Sequence, residues 1–569
     1  MLALSFPKFG HPACAWLALT PLVVAVVRAP QIRGRRAFLL GLLAGAIYFA
    51  GTLYWLVETM TTFGGLPTAL AIFAAALLVA YLALFPAAFA LILSRLHRKL
   101  GSRALLLAPA VWVTTELGRQ YVWDGFPWAL LGYSQVTVLP VAQAASIFGV
   151  YGLSALLALT ATGAAFVVVD RGRTRWLMAG SIAGVLAVTT LWGQARLRYS
   201  DLLTHGEPVR VAVVQGNVAQ DEKWNPANRE AITDRYITMT RQALAQGASF
   251  IMWPESATPL PFEQDILGGS AIRRIAIDSQ ATLLVGSDQV EPIKAATPAD
   301  KDQSRFYNAA FLVRPDGSVG AVYRKMHLVP FGEYVPLQSM LFFAGPIIGA
   351  AADFSSFTPG DLPVLLPVGG HLVSTAICYE VIYPNLIRQF VRDGSELLTT
   401  ITNDAWYERS SAAYQHWDQA SMRAIEEGRY LARAANTGIS GFVDPYGRII
   451  AKTEHPVLIQ LLQAIIKDER RHFAFYRAQA KMRLARSKQA RTITRWALEH
   501  LWAPVGTGVR PQRETDFVIH SLFGDADGLV AVKEMEQTLG ELPGLEGSTF
   551  LSDALEAAAR RLGRPLGVG

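Results

Sequence analysis

The chain has 569 residues, a net charge of +7, only 17% charged side chains and a mean hydropathy of +0.27, values that exclude a purely soluble protein. Its two cysteines, Cys14 and Cys378, lie in unrelated contexts and exclude a disulfide framework. In the first part the positive charge sits in short loops between apolar runs, so topology explains it and no nucleic-acid partner is expected.

Apolar runs from Ala13 to Val27, Ala37 to Val57, Leu66 to Leu93, Leu105 to Leu117, Leu139 to Val169 and Trp176 to Trp192 predict a multi-span α-helical membrane domain over residues 1–200. The first run lacks a basic leader and a small-residue cleavage site, so it reads as a retained helix, with Cys14 inert inside it. Arginine and lysine then recur at every second loop. They stand at Arg28, Arg33, Arg35 and Arg36, at Arg95, Arg98, Lys99 and Arg103, and at Arg171, Arg173 and Arg175. The positive-inside rule makes these loops cytoplasmic and delivers everything after the sixth run to the outer side. That parity turns on the short fourth run, which ends at Glu116 and Arg119.

From Val209 the pattern changes to short β-branched runs, Val209 to Val214, Ser249 to Trp253, Thr282 to Gly286, Leu372 to Ile377 and Leu397 to Thr402. Longer segments separate them, which predicts an α/β or α+β domain over residues 208–453 with its chemistry where the strands stop. Three runs end in a reactive side chain: Glu255 after Ile251-Met252-Trp253-Pro254, Lys325 after Val322-Tyr323-Arg324, and Cys378 after Ser374-Thr375-Ala376-Ile377. A thiol needs a base to become a nucleophile, and a desolvated carboxylate can serve. The attack creates an oxyanion, which an ammonium and nearby backbone N–H groups stabilise. Glu, Lys and Cys together form an acyl-transfer set. Each of them alone would read as an ordinary buried thiol or solvated charge.

Five strings, weak singly and specific in order, carry a resemblance. They are Gln215-Gly216-Asn217 with Lys223-Trp224, Trp253-Pro254-Glu255-Ser256, Lys325-Met326-His327-Leu328-Val329-Pro330-Phe331-Gly332-Glu333-Tyr334, Cys378-Tyr379-Glu380 and Asn403-Asp404-Ala405-Trp406. The sequence resembles the nitrilase superfamily and, with its membrane runs, the bacterial apolipoprotein N-acyltransferases. That resemblance covers about the first four-fifths of the chain and implies an αββα sandwich. It implies Glu255 as general base, Lys325 as oxyanion stabiliser, Cys378 as the nucleophile that becomes a thioester, and Glu333 as a supporting glutamate. Trp224, Tyr379, Glu380 and Trp406 match family positions near the pocket. The implied partners are a phospholipid acyl donor, typically phosphatidylethanolamine, and a diacylated apolipoprotein acceptor. The implied location is the bacterial inner membrane, with the catalytic domain in the periplasm. Neither a cofactor nor a metal is expected, and His327 and His371 read as structural. A membrane-tethered amidase and an inactive lipid-binding scaffold are the rival readings.

The ends depart from that family. Met1 to Pro7 resembles the end of the family's first membrane helix, and after the hairpin signal Asp444-Pro445-Tyr446-Gly447-Arg448-Ile449 the longest apolar run, Val457 to Ile466, is too short to span. Residues 454–569 read instead as a charged helical tail. It resembles the latter half of a ferritin-like protein through His455-Pro456-Val457-Leu458 and Glu469-Arg470-Arg471-His472. A di-iron centre needs a second Glu-x-x-His and further carboxylates, and no such set is found in the sequence.

Overall fold

The computed structural model describes residues 1–8, 10–28, 34–123, 125–203, 206–292, 304–330, 332–334, 357–407, 410–453, 480–500 and 512–566, in two units, 1–455 and 456–569. The first unit begins with apolar helices: α1 (Thr20–Arg28), α2 (Gly34–Thr52), α3 (Trp55–Thr62), α4 (Thr68–Leu100), α5 (Ala104–Tyr121), α6 (Leu139–Ala142), α7 (Ala145–Val169) and α8 (Thr174–Tyr199). The stretches 68–121, 145–169 and 174–199 are long and apolar enough to cross a membrane, and α2 with α3 makes a fourth if the bent pair counts as one span.

Small residues set the packing. Gly41 and Gly45 lie one turn apart on α2, and a Cβ on either would fall 2.4 Å from the Pro86 carbonyl oxygen or 2.8 Å from Ala83 Cα, both on α4. This small-xxx-small contact lets two apolar helices approach where lipid gives no hydrophobic drive. Gly101 (φ +59°) ends α4 in a conformation suited to glycine, and the chain returns as α5. Phe89 meets Trp112 edge-on at 5.2 Å and Gly118 faces Phe85, so α4 and α5 run antiparallel. The short fourth run is therefore a full helix of 18 residues.

Three other runs differ from expectation because hydropathy carries no record of backbone breaks. The first forms a 3₁₀ stretch, Pro12–Leu17, followed by the nine-residue α1. The second bends by 53° between α2 and α3. The fifth is divided into α6 and α7, and Gly149 (φ +65°) breaks the helical path again inside α7.

The rest of the unit is a sandwich of two sheets. One has the order β1 (Val211–Val213), β2 (Phe250–Met252), β3 (Thr282–Pro292), β4 (Ser304–Val313), β5 (Val319–Arg324). The other has the order β11 (Ile449–Thr453), β10 (Ser440–Val443), β9 (Leu431–Ala435), β8 (Leu397–Thr402), β7 (His371–Ile377), β6 (Leu366–Val368). Pairs β1–β2, β2–β3, β7–β8 and β8–β9 are parallel, so each needs a long crossover. Helices α9 (Gln220–Lys223), α10 (Arg229–Ala245), α11 (Ile266–Ser279), α12 (Pro384–Arg392) and α13 (Ala412–Glu427) lie in these connections.

Strand alternation separates the layers. On the first sheet Ile251, Leu283, Val285 and Phe311 join the cluster formed with Ile232, Tyr236 and Ile272 of α10 and α11. Their neighbours Met252, Leu284 and Leu312 turn inward and share a core with Ile377, Leu398 and Ile401 of the second sheet. The expected αββα sandwich is present. That inner core is continuous with buried residues of the N-terminal helical region, Trp128 of the loop after α5 and Leu153 of α7 among them.

In the second unit the described helices include α14 (Lys488–His500), α15 (Gln512–Phe523), α16 (Ala526–Gly540) and α17 (Phe550–Leu562). Arg561 Nε and Nη2 grip the buried Asp516 carboxylate at 2.7 and 2.8 Å, joining α17 to α15. The residues on which the ferritin-like resemblance rests, 455–458 and 469–472, lie outside the described residues.

Candidate active site

Three strands stop just short of a polar side chain. β2 leads through Trp253 and Pro254 to Glu255, β5 directly to Lys325, and β7 directly to Cys378, which opens a short 3₁₀ turn ending at Ile382. Lys325 Nζ lies 3.2 Å from Glu255 Oε1 and 2.9 Å from Glu333 Oε1. Asn308, in the middle of β4, donates from Nδ2 to the same two oxygens at 2.7 and 2.8 Å. Main-chain N–H groups satisfy the remaining oxygens: Asn403 N donates to Glu255 Oε2 at 2.9 Å and Val329 N to Glu333 Oε2 at 2.7 Å. Every oxygen of the buried Glu255 and partly buried Glu333 carboxylates is thus aimed.

The charges move one another in opposite directions. Burial raises the Glu255 carboxyl, but the ammonium of Lys325, the amide of Asn308 and the ammonium of Lys223 prevail and hold it below the usual carboxylate range. Burial pulls the Lys325 ammonium down, yet Glu255, Glu333 and Cys378 raise it overall. Burial pushes the Cys378 thiol well up, the negative charge of Glu255 adds to this, and Lys325 opposes it. At rest the set is a neutral thiol, a carboxylate and an ammonium.

Glu380 has a different place from the other expected site residues. It is completely buried and accepts from Ile377 N at 2.7 Å, Met326 N at 2.6 Å, His327 N at 3.2 Å and Tyr323 Oη at 2.8 Å. It therefore ties the strand end that carries Cys378 to the one that carries Lys325. Burial pushes its carboxyl up to about 7. Tyr379 and Trp406 meet the apolar N-terminal region: the ring of Tyr379 lies 6.2 Å from Phe126 in the loop after α5, and Trp406 meets Phe63, which caps α3, edge-on at 5.4 Å while its carbonyl accepts from Thr59 Oγ1 of α3. Trp224 is 47% exposed, with the Lys223 ammonium 5.4 Å over its ring. His327 lies against Tyr383 at 4.3 Å, and the exposed His371 bridges Glu396 and Glu207. Among the described residues no three His, Cys, Asp or Glu side chains form a metal-binding group.

Sequence reading missed four buried polar residues around the site. Arg433 had a usable signal, being the lone polar residue inside an apolar strand, whereas Asn308 lies in β4 with Ser304 and Arg305 and did not stand out. Lys223 Nζ is buried 3.4 Å from the Glu255 carbonyl oxygen, and burial pulls its pKa down to about 8. His416 sits at zero exposure on α13, 3.0 Å from the Cys378 carbonyl oxygen, and nothing in its neighbours Gln415 and Trp417 announces this.

An αββα sandwich with these side chains gathered at its strand ends, built on apolar helices, defines a membrane-borne enzyme of the carbon–nitrogen hydrolase class. Residues 210–467 match the family Carbon-nitrogen hydrolase, and residues 1–163 match the Apolipoprotein N-acyltransferase N-terminal domain. The apolipoprotein N-acyltransferase of Geobacter metallireducens is 39% identical over 460 residues, covering 80% of this chain and 85% of that protein. That of Methylococcus capsulatus is 35% identical over 461 residues, covering 79% of this chain and 85% of that protein. Nit3 of Saccharomyces cerevisiae, a nitrilase-superfamily protein of known structure, aligns with 43% of this chain and 86% of its own at 18% identity and a TM-score of 0.32. The chain belongs to the apolipoprotein N-acyltransferase family, a family of acyltransferases.

Proposed function

We propose that the chain transfers a fatty acyl group from a membrane phospholipid to the α-amine of a lipoprotein's N-terminal diacylglyceryl-cysteine, through a thioester on Cys378. Phosphatidylethanolamine is the proposed donor, and the periplasmic face of the bacterial inner membrane the proposed location. The antiparallel return of α5 against α4 supports the parity that puts the catalytic domain outside. One observation carries the reading. The turns bearing Cys378 and Trp406 pack on aromatic residues of the apolar N-terminal region, with Phe126, in the loop after α5, 6.2 Å from Tyr379 and Phe63, at the end of α3, 5.4 Å from Trp406. An acyl chain reaching the sulfur there stays in apolar surroundings, which a water-soluble amide has no use for.

In the first half-reaction Glu255 takes the thiol proton as Cys378 Sγ attacks the ester carbonyl carbon. Lys325 and N–H groups of the Cys378 turn bear the oxyanion. Its collapse breaks the carbon–oxygen bond, and Glu255 returns the proton to the lysophospholipid oxygen. In the second half the lipoprotein amine attacks the thioester carbon and Glu255 takes its proton; collapse breaks the carbon–sulfur bond, Glu255 hands the proton to the departing Cys378 Sγ, and the amide leaves with the thiol restored. Glu333 and Asn308 hold Lys325 and Glu255 in register throughout.

The test is purified protein with phosphatidylethanolamine and a diacylated lipopeptide, followed by mass spectrometry. Triacylated peptide and an acyl mass on Cys378 are expected, both lost in Cys378→Ala. Absence of both in the wild type, or equal product from the variant, overturns the proposal.

A further inference from the structure

Cys378 adopts φ +52°, a left-handed conformation that L-residues rarely take, so something must hold its main chain. Glu380 fixes the turn from one side through Ile377 N. From the other side His416 Nε2 lies 3.0 Å from the Cys378 carbonyl oxygen, and both partners are buried. A carbonyl can only accept, so Nε2 carries a hydrogen whatever the other ring nitrogen does.

His416 is itself fixed from behind. Its Nδ1 is 3.0 Å from Asp404 Oδ1, Arg433 Nη2 donates to Asp404 Oδ2 at 2.9 Å, and Arg433 Nε donates to the Ile439 carbonyl at 3.1 Å. All three side chains are wholly buried. A buried ion pair is weak evidence for stability and a stronger hint of a fixed geometry, here the direction of one imidazole ring.

The helix that carries His416 is also fastened to the membrane helices. One residue before it, Gln415 accepts from Trp128 Nε1 at 2.7 Å and donates to the Thr52 carbonyl, at the end of α2, at 3.1 Å. Near the other end of α13, Arg423 donates to Tyr133 Oη at 2.9 Å, and Tyr133 donates to the carbonyl of Ile382, the last residue of the Cys378 turn. Glu426 Oε1 accepts from Val150 N at 2.6 Å, just where Gly149 breaks α7 and leaves that N–H without a helical partner. One helix thus touches the nucleophile's main chain through His416 and the membrane bundle through its flanking residues.

We infer that His416 is a positioning residue for the nucleophile, holding Cys378 in its left-handed conformation, and that α13 carries the packing of the membrane helices to the sulfur. This rests on Cys378 being the nucleophile. Nothing in the chemistry requires His416 to exchange a proton with substrate.

The experiment uses the full-length protein in detergent with phosphatidylethanolamine and no acceptor. The rate of acyl-thioester formation on Cys378 is read by intact mass, with thermal unfolding confirming the fold. A glutamine amide at position 416 can put an N–H where Nε2 donates, whereas the shorter asparagine cannot reach. His416→Asn is expected to slow thioester formation about 30-fold, the scale of one lost buried hydrogen bond, at unchanged lipid half-saturation. His416→Gln is expected to recover to within about 5-fold of wild type. Asparagine as fast as wild type, or glutamine as slow as asparagine, overturns the inference. If His416→Asn does not fold, Gly149→Ala decides. It strains only the break in α7, its Cβ falling 3.4 Å from Glu426 Oε1, and a slowing of about 3-fold or more is expected where an unchanged rate overturns the coupling. A folded wild type that forms no thioester instead overturns the nucleophile assignment, and this inference with it.

Discussion

Replacing Lys325 by methionine keeps the side-chain length and deletes the charge shared by Glu255 and Glu333, which lie 3.2 and 2.9 Å from its ammonium. The lysine is 1% exposed, so water cannot replace it. Removing one partner of a buried pair costs roughly 3–5 kcal/mol, which for a domain of this size lowers the unfolding midpoint by about 10 °C. The loss should depend on pH. In the wild type the Glu255 pKa is lowered, so its contribution is present above the ordinary carboxylate pKa and fades as pH falls through the lowered value. Without the ammonium, burial dominates and the folded pKa moves above the unfolded one, so stability is lost as pH rises. Thermal unfolding of Lys325→Met in detergent, followed by tryptophan fluorescence, should therefore show a large deficit near about pH 8 that shrinks toward about pH 5. A deficit equal at both pH values, or none, would refute the shared-cation reasoning. Thioester formation should fall by about 10²–10³-fold at either pH, the scale of a lost oxyanion donor.

Lys223→Met removes the second ammonium that favours ionised Glu255. The acid limb of the thioester-formation profile should move up by about half to one pH unit, and an unmoved limb would show that Lys223 does not act on the base. Asn308→Leu leaves Glu255 Oε1 and Glu333 Oε1 each short of one donor. Stability should fall by about 2 kcal/mol and the same acid limb should again rise, measured by unfolding and by the pH profile. Glu380→Gln turns one of the oxygens facing N–H donors into an amide nitrogen, and an unfolding midpoint within about 1 °C of wild type would contradict its role as the tie between β5 and β7.

The strands whose ends carry Glu255, Lys325 and Cys378 were legible because each is a short β-branched run that stops at a polar residue, a signal contained within a few neighbours. β8 spans Leu397–Thr402 as expected, and the turn at 444–449 joins β10 to β11. β4 was not legible, because Asn308 interrupts its apolar run, and that interruption is what brings an amide to carboxylates 53 and 25 residues away in sequence. Glu116 and Arg119 misled in the opposite direction. They looked hostile to a span, yet Glu116 Oε1 accepts from Leu131 N at 2.8 Å and Arg119 Nη1 donates to the Trp128 carbonyl at 3.3 Å, pinning the chain that returns after α5. Charges inside a membrane domain are explained by their partners, and partners made by folding leave no local trace. His416 is the extreme case, since its meaning depends wholly on Cys378, Asp404 and Arg433.

The opposed shifts of Glu255 and Cys378 favour a resting proton on the sulfur. A carboxylate held low beside a thiol pushed high leaves the proton on sulfur, so the resting site offers a thiol, far less reactive than a thiolate toward stray electrophiles and oxidants. The same arrangement makes thiolate formation depend on the substrate. In the proposed first half-reaction, as the ester carbonyl becomes an oxyanion beside Lys325, negative charge leaves the sulfur for an oxygen facing a cation, and the proton can settle on Glu255 at less cost than before attack. On the proposed mechanism Lys325 has two demands on it: to keep Glu255 ionised before attack and to face the oxyanion during it. Glu333 and Asn308 serve both, because Glu333 holds the ammonium at 2.9 Å and Asn308 donates to Glu255 and Glu333 alike, fixing the ammonium and the carboxylate relative to one another. What fixes the sulfur relative to that pair is the main chain of Cys378, which is why the hold on its carbonyl from α13 bears on the chemistry as well as on the fold.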